Sequence, residues 1–247
     1  MSDDFEPRKH VAPIGTLNKI SFIARLLVDF QVLTVYKNIK KFSTTISGNL
    51  LDFGCGSSPY KHLFSNKNIN YFGLDTIDAA DFKYHNKEVT IYDGQTIPFE
   101  TEFFDGFICT EVMEHIFDYS NFASEIFRIL KKDGIGIITI PWSSRYHYVP
   151  FDYFRFTPSA IKKIFCNFSN ITVIPRGTDI TVISSKIILI YFRNLLSKNF
   201  IITFLFLPVF LLFAPLILIL LFIGHLSILA KIGSKDDPLG YTILLKK

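Results

Sequence analysis

Cysteine is scarce in this 247-residue chain: Cys55, Cys109 and Cys166 stand far apart, with no Cys-x-x-Cys pair and no His/Cys cluster. A structural zinc site needs four ligands at recognisable spacing, so no metal is expected from them. So small and odd a set also argues against a disulfide scaffold and suits a reducing compartment. Glycine (13) and proline (11) are too few for a collagen-like repeat. Charge is thin as well, at 19% of residues with a net of +4, and no basic stripe interleaved with aromatics stands out. Nucleic acid is therefore not an expected partner. Residues Met1 to Lys9 are polar and charged, without the apolar core and cleavage site of a secretory signal. Apolar residues make up 49% and the mean hydropathy is +0.31, which excludes disorder for the bulk of the chain.

Four regions follow from the patterning. Residues 1–46 read as a loose arm and a covering helix, because apolar side chains recur at helical spacing from Leu17 to Phe42 (Ile20, Ile23, Leu27, Phe30, Leu33). This is one amphipathic helix or two short ones. Arg25, Lys37, Lys40 and Lys41 between the apolar positions would meet water or an anionic surface.

Residues 47–180 alternate short apolar runs with helical stretches. Strands are expected at Asn49–Phe53, Asn70–Leu74, Glu88–Tyr92, Phe104–Cys109 and Ile135–Ile140, the last stopped by Pro141. A helix is expected over Tyr119–Leu130 and a turn at Lys132-Asp133-Gly134. Strands apolar on both faces and separated by helices mean a doubly wound α/β domain, its sheet mostly parallel.

Residues 181–234 contain the run Asn199–Ala230, about 32 residues without Lys, Arg, Asp or Glu. A bilayer crossing needs only about 20, so the run is read as membrane-embedded. Residues 235–247 hold a last strand-like stretch, Tyr241–Leu245. If that stretch completes the sheet, both ends of the apolar run lie on one side of the membrane. Either part of Ile180–Leu196 then joins in, or the run turns back as a hairpin broken at Pro208 and Pro215. Basic residues on both flanks (Lys186, Arg193 and Lys198; Lys231 and Lys235) agree with a hairpin. A single span would require Tyr241–Lys247 to be a detached tail.

The chemistry begins at Leu51-Asp52-Phe53-Gly54-Cys55-Gly56. A strand ending in Gly-x-Gly lets a ligand approach the backbone, since neither glycine has a Cβ. Asp75, about 20 residues on at the end of the second strand, is placed to accept hydrogen bonds from ribose hydroxyls. A dinucleotide fingerprint would carry a third glycine where Pro59 stands, and no Gly-Lys-Ser/Thr follows as in a P-loop. The turn suits a nucleoside without a pyrophosphate.

Further blocks follow in order: Asp93-Gly94 before Ile97-Pro98-Phe99, then Phe104-Asp105-Gly106-Phe107-Ile108-Cys109-Thr110-Glu111-Val112-Met113-Glu114-His115. Together with the glycine turn and Asp75 they resemble the class I S-adenosylmethionine-dependent methyltransferases, with their Rossmann-like sheet. The likeness is nearest to small-molecule enzymes of the quinone type and of polysaccharide clusters. It covers about residues 49–142 well and extends loosely to about 177. It implies S-adenosyl-L-methionine as cofactor. Asp52, Gly54, Cys55 and Gly56 would line its methionine end, Asp75 would hold the ribose, Asp93 and Gly94 would lie near the adenine, and Thr110 and Glu111 would floor the methyl group. Glu114-His115 matches a recurring pair, with His115 packing at the start of a helix.

A hydroxyl acceptor needs a general base, which directs attention to the aromatic stretch from Trp142 to Pro158 beyond the fifth strand. Imidazole titrates near neutrality, so His147 is the candidate base, with Asp152 to orient it. Trp142, Tyr146 and Arg155 are the candidate substrate-binding residues, the arginine for a phosphate. In the purely structural alternative, Asp152 pairs with Arg155, and Thr157 caps a helix starting at Pro158.

The combined expectation is methyl transfer to a membrane-associated acceptor, foremost a hydroxyl of a lipid-linked glycan, by a membrane-associated protein whose catalytic domain is cytoplasmic. Membrane lipid is the further partner expected. A quinone or other prenylated small molecule is the alternative acceptor, and a non-catalytic membrane scaffold the alternative role. Pro59 and the Glu114-His115 block disfavour a nicotinamide oxidoreductase. Nothing in the sequence addresses oligomeric state.

Overall fold

A computed structural model describes residues 12–65, 68–76, 89–195 and 200–247, with the side chains of 200–203 left aside. Among the described residues seven strands form one sheet: β1 (Gly48–Phe53), β2 (Ile69–Thr76), β3 (Val89–Tyr92), β4 (Phe104–Thr110), β5 (Leu130–Pro141), β6 (Asn170–Arg176) and β7 (Gly240–Lys246). Their order is β3-β2-β1-β4-β5-β7-β6, parallel throughout except for β7, which runs antiparallel between β5 and β6. Chain order reverses at the β1–β4 pair. In sheets of this kind the loops leaving the carboxyl ends of the strands at such a reversal diverge, and the crevice between them is the usual ligand position.

Both faces of the central strands are apolar, and both are covered. Leu50, Ile108 and Ile137 face Val35, Ile39 and Phe42 of helix α2 (Phe30–Phe42). Leu51, Phe107 and Ile138 face Phe122, Ile126 and Ile129 of α3 (Tyr119–Ile129), with Ile161 of α4 (Pro158–Ile164) in the same cluster. Between β1 and β2 the described residues form no long helix, only the 3-10 turn Lys61–Leu63. A helix from ahead of the sheet therefore covers the face that a crossover helix would otherwise cover.

The N-terminal pattern divides at Asp29. This residue is extended (φ −114°, ψ 97°) and its carboxylate accepts from the Val32 N–H at 3.2 Å, capping α2. Upstream lies α1 (Thr16–Val28). Phe30, Leu33 and Ile39 are buried, but Leu17, Ile20, Ile23 and Leu27 are exposed, at 55–82%. Covering the sheet is thus the work of α2, not of the whole segment.

Other expectations shift too. The turn expected at Lys132-Asp133-Gly134 lies inside β5, where Asp133 takes a positive φ of 64° and the register against β4 slips. The expected third strand begins at Val89, Glu88 lying outside the described residues. β6 was not anticipated; it is an edge strand with alternating exposure, and Pro175 is tolerated there. Tyr241–Leu245 does close the sheet, paired on both sides.

The apolar run is one helix rather than a fold-back: α6 (Phe200–Ala230) contains both Pro208 and Pro215. A proline removes one helical hydrogen bond and bends a helix without having to end it. The partner of α6 is α5 (Asp179–Leu195). Ile188 of α5 and Ile217 of α6 share an apolar cluster, and the Tyr191 hydroxyl donates to the Phe210 carbonyl at 3.0 Å. Buried hydroxyls close the base of this pair, with Thr178 Oγ1 2.7 Å and Thr181 Oγ1 3.0 Å from Ser227 Oγ. The Asp179 N–H donates to the Ser234 carbonyl and its carboxylate accepts from the Ser234 N–H.

Truncation should tell the two N-terminal helices apart. Ile39→Ala, in the core, should cost about 2–5 kcal/mol, whereas Ile23→Ala on the open face of α1 should stay within about 0.5 kcal/mol. Denaturant unfolding of both variants in one detergent checks this, and equal losses would contradict the division.

Candidate active site

The glycine turn follows directly from β1. Gly54 (φ 67°) and Gly56 (φ 49°) both take left-handed backbone, which L-residues with a Cβ rarely adopt. At Gly54 a Cβ would also lie 2.5 Å from Val112 Cγ2. The N–H groups of Gly54 and Cys55 donate to the Leu74 carbonyl, and that of Gly56 donates to Asp75 Oδ2 at 2.8 Å. The other oxygen of Asp75 accepts from the Thr76 N–H at 2.9 Å. Asp75 thus binds the turn to the end of β2, half-buried at the lip of the crevice. Burial raises its pKa, and those two backbone N–H bonds partly offset the rise.

Asp52 lies beneath the turn and is almost wholly buried. The Tyr71 hydroxyl donates to its Oδ2, while Oδ1 is buried without a partner. Burial pushes the Asp52 carboxyl up to about 7, against the lowering effect of Tyr71 and with a smaller rise from Asp75. Cys55, next to it, is held as a neutral thiol by burial and by the two acids. Asp93 is exposed and caps its own loop, accepting from the N–H groups of Gln95 (2.8 Å) and Thr96 (3.2 Å), with Gly94 at φ 81°.

Thr110 ends β4, and Glu111 after it is strained, with φ 54°. Its N–H donates to the Thr139 carbonyl and its carboxylate meets Arg176 Nη2 at 2.7 Å. Sequence reasoning missed Arg176. Its signal was a charge closing an otherwise apolar strand just before Gly177. Tyr71 was missed as well, since only the fold brings a β2 side chain to Asp52.

The aromatic loop begins where the N–H groups of Trp142 and Ser143 donate to the Leu239 carbonyl. Asp152 organises its middle. Its side chain is 1% exposed and accepts two bonds from Arg155, at 2.6 and 2.8 Å, and one from the His147 N–H at 3.0 Å. His147 Nδ1 lies 3.0 Å from both Asp152 Oδ2 and the Arg145 carbonyl. Burial pushes the Asp152 carboxyl up, but these donors, Arg155 first, hold it below the usual range. Orientation of His147 and pairing with Arg155 therefore coexist in one carboxylate. Arg155 also donates to the carbonyls of Phe154 and Arg145, so both its Nη atoms are engaged within the loop. Tyr146 is exposed, and Trp142 packs edge-on against Tyr241. Thr157 caps α4 through the Ala160 N–H, with Pro158 in its first turn.

The loop closes onto the Glu114-His115 block. The N–H groups of Tyr153 and Phe154 donate to the Glu114 carbonyl, and His115 Nδ1 donates to the Phe151 carbonyl at 3.0 Å. His115 lies in a 3-10 turn, Met113–His115, ahead of α3 rather than at its start. Its ring is 5.0 Å from that of His147. Glu114 is fully buried and neither carboxylate oxygen has a partner. Burial, and then the Glu111 charge, raise its pKa well above the carboxylate range. Burial also lowers His115 to about 4, so the 3.7 Å contact between them joins two neutral groups.

Glu114, His115 and His147 each offer a ligand atom within 4.8 Å of the others, the one such group of His, Cys, Asp or Glu among the described residues. Each imidazole Nδ1 is turned to an oxygen acceptor, the usual support of a metal ligand, and a divalent cation held here would have to displace the proton that burial keeps on Glu114. The sequence expectation of no metal rested on cysteine and could not see this group.

S-adenosyl-L-methionine fits the crevice on two observations. The turn takes left-handed backbone at both Gly54 and Gly56, which keeps Cβ atoms off the segment a ligand would approach, and the orphaned Asp52 Oδ1 is a buried acceptor suited to a cationic group.

Residues 51–138 match the family model described as a methyltransferase domain. The chain is 28% identical over 120 residues to an uncharacterized protein of Methanocaldococcus jannaschii, covering 47% of this chain and 52% of that protein. It is 27% identical over 143 residues to a ubiquinone biosynthesis O-methyltransferase of Rhodopseudomonas palustris, covering 54% and 55%. The chain thus spans about half the length of these curated relatives. A SAM-dependent methyltransferase from Archaeoglobus fulgidus shares the fold at 16% identity with a TM-score of 0.55, over 92% of this chain and 99% of that one. With the reversed strand order, the glycine turn and Asp75 in place, residues 51–138 match a methyltransferase domain within a sheet of the class I S-adenosylmethionine-dependent methyltransferase fold.

Proposed function

We propose that the protein transfers a methyl group from S-adenosyl-L-methionine to a hydroxyl of a membrane-associated, amphipathic acceptor, foremost a lipid-linked glycan. One observation carries the reading: the loop that holds His147 and the apolar helix pair grow from the same sheet edge. Trp142 and Ser143 are bonded to Leu239, and Leu239 packs in the cluster that holds the helix pair. An acceptor resident in a membrane would meet the crevice at raised local concentration.

Bound S-adenosyl-L-methionine supplies an electrophilic methyl. The chain has to hold it in line with the nucleophile and exclude water. Asp75 and the turn bind and orient, and the aromatic loop roofs the crevice. His147 Nε2 takes the hydroxyl proton, while Asp152 fixes the ring through Nδ1 and stabilises the charge that develops. A prenylated phenol is the alternative acceptor, supported by the likeness to the ubiquinone biosynthesis O-methyltransferase. Retention of both glycines and Asp75 speaks against a non-catalytic scaffold.

A second way to activate the hydroxyl is favoured by the Glu114, His115 and His147 group. A divalent cation held there would make a neighbouring hydroxyl easier to ionise.

Calorimetric titration with S-adenosyl-L-methionine in detergent should show saturable binding that Asp75→Ala weakens about tenfold to a hundredfold. No binding by folded protein, or preference for NADH, would overturn the methyltransferase reading. A cationic ligand favours ionised Asp52. Affinity should therefore rise with pH up to about 7, the value to which burial lifts that carboxyl, then level off, and Asp52→Asn should flatten this step. His147→Asn should lower kcat about 10²–10⁴-fold with little change in cofactor affinity. Chelation then separates the two forms of activation. A rate untouched by EDTA supports His147 as base, and a rate lost to EDTA and restored by Mn²⁺ supports the cation.

A further inference from the structure

We infer that the α5–α6 pair does not cross the bilayer but lies along one leaflet, with α1 embedded beside it as a second in-plane element. This rests on the membrane association proposed above and fixes its geometry.

The first constraint is topological. α5 leaves the carboxyl end of β6, and α6 returns to the start of β7, strands paired at Arg176 and Gly240. With both ends held at one sheet edge, α6 cannot cross alone. Any crossing would have to take α5 through as well.

The second constraint is charge. Lys186 and Arg193 are exposed on α5, seven residues and so about two turns apart, on one face of the helix. In a crossing pair both cations would lie along hydrocarbon, a costly position with no acid available to pair them, since α6 contains none. In a pair lying flat, the same face of α5 reaches the headgroups, and the uniformly apolar α6 sinks below it. Length agrees. At 17 residues α5 is about 26 Å long, short of the roughly 30 Å hydrocarbon core. The 31 residues of α6 extend about 46 Å, which no single crossing requires.

The third observation is α1. Leu17, Ile20, Ile23 and Leu27 form an exposed apolar stripe, while Phe22 on another face packs against Tyr36 and His62. The stripe ends at α6: His225 Nε2 donates to the Leu27 carbonyl at 2.9 Å, and the Phe30 ring occupies the space left by Gly224, where a Cβ would be 2.3 Å away. Gly224 and His225 belong to the base of α6, near Ser227 and the sheet edge. The open face of α1 therefore continues the apolar surface of α6 at the level where a bilayer interface would meet the domain. A helix of this kind, apolar on one side and docked on the other, is held by apolar burial in the interface plane.

The test adds purified protein to preformed sealed phosphatidylcholine vesicles. Flotation of the wild type measures association. Leu195→Cys, in a Cys166→Ser background, is then probed with a membrane-impermeant maleimide applied outside or trapped in the lumen. Labelling from outside supports the flat arrangement, and labelling only from the lumen overturns it while leaving membrane association standing. Absence of flotation overturns both. Combined Leu17→Glu, Ile20→Glu and Ile23→Glu should reduce flotation at least about tenfold with S-adenosyl-L-methionine binding retained. Undiminished flotation would remove α1 from the membrane surface.

Discussion

One buried guanidinium holds the carboxyl edge of this sheet together. Arg176 ends β6 with its side chain fully enclosed. It donates to the Glu111 carboxylate beyond β4, to the Ile140 carbonyl in β5, and at longer range to Thr34 Oγ1 and the Gln31 carbonyl in α2. Gly240 of β7 admits it, since a Cβ there would lie 2.4 Å from Nη2. The strained Glu111, the cover of the sheet and the root of the helix pair thus meet at one cation. A buried charge is tolerated only when it is paired and bonded, and removing its partner costs several kcal/mol. Loss of Glu111 would accordingly leave an uncompensated buried charge at the carboxyl edge of the sheet.

Around that point the crevice is a place where burial competes with charge. Asp52 titrates near neutrality and Glu114 is held protonated by burial, while Asp152, scarcely more exposed, stays ionised because Arg155 and the His147 N–H donate to it. One chemical group takes three states according to the donors aimed at it. One region of the domain thus presents a neutral acid, an acid poised near neutral pH and an ionised carboxylate.

Much of this was legible in the sequence. Apolar runs without alternation give parallel strands buried on both faces, and the Gly54–Gly56 turn with Asp75 identifies the end of the sheet that binds. The cap at Thr157 could be read from the order Thr-Pro alone. Less legible were contacts between residues remote in sequence. Tyr71 meets Asp52, Arg176 meets Glu111, and His147 meets the Glu114-His115 block, each through strand order and loop closure rather than local pattern. The apolar run shows the same limit. Its composition announced a long lipophilic helix, but whether it folded back at its prolines or paired with α5 depended on which arrangement buried Ile188 and Ile217.

The sequence by itself determined the class of fold, the cofactor turn and the existence of a segment too apolar for water, because each follows from local geometry or composition. The tertiary structure decided what those features do together. It divided the N-terminal segment at the extended Asp29 into a covering helix and an open one, with only α2 buried against the sheet. It placed the helix pair at the carboxyl edge of the central strands because β6 ends and β7 begins there. It also set the protonation of the acids, since desolvation and hydrogen-bond donors are properties of packing that no stretch of sequence contains.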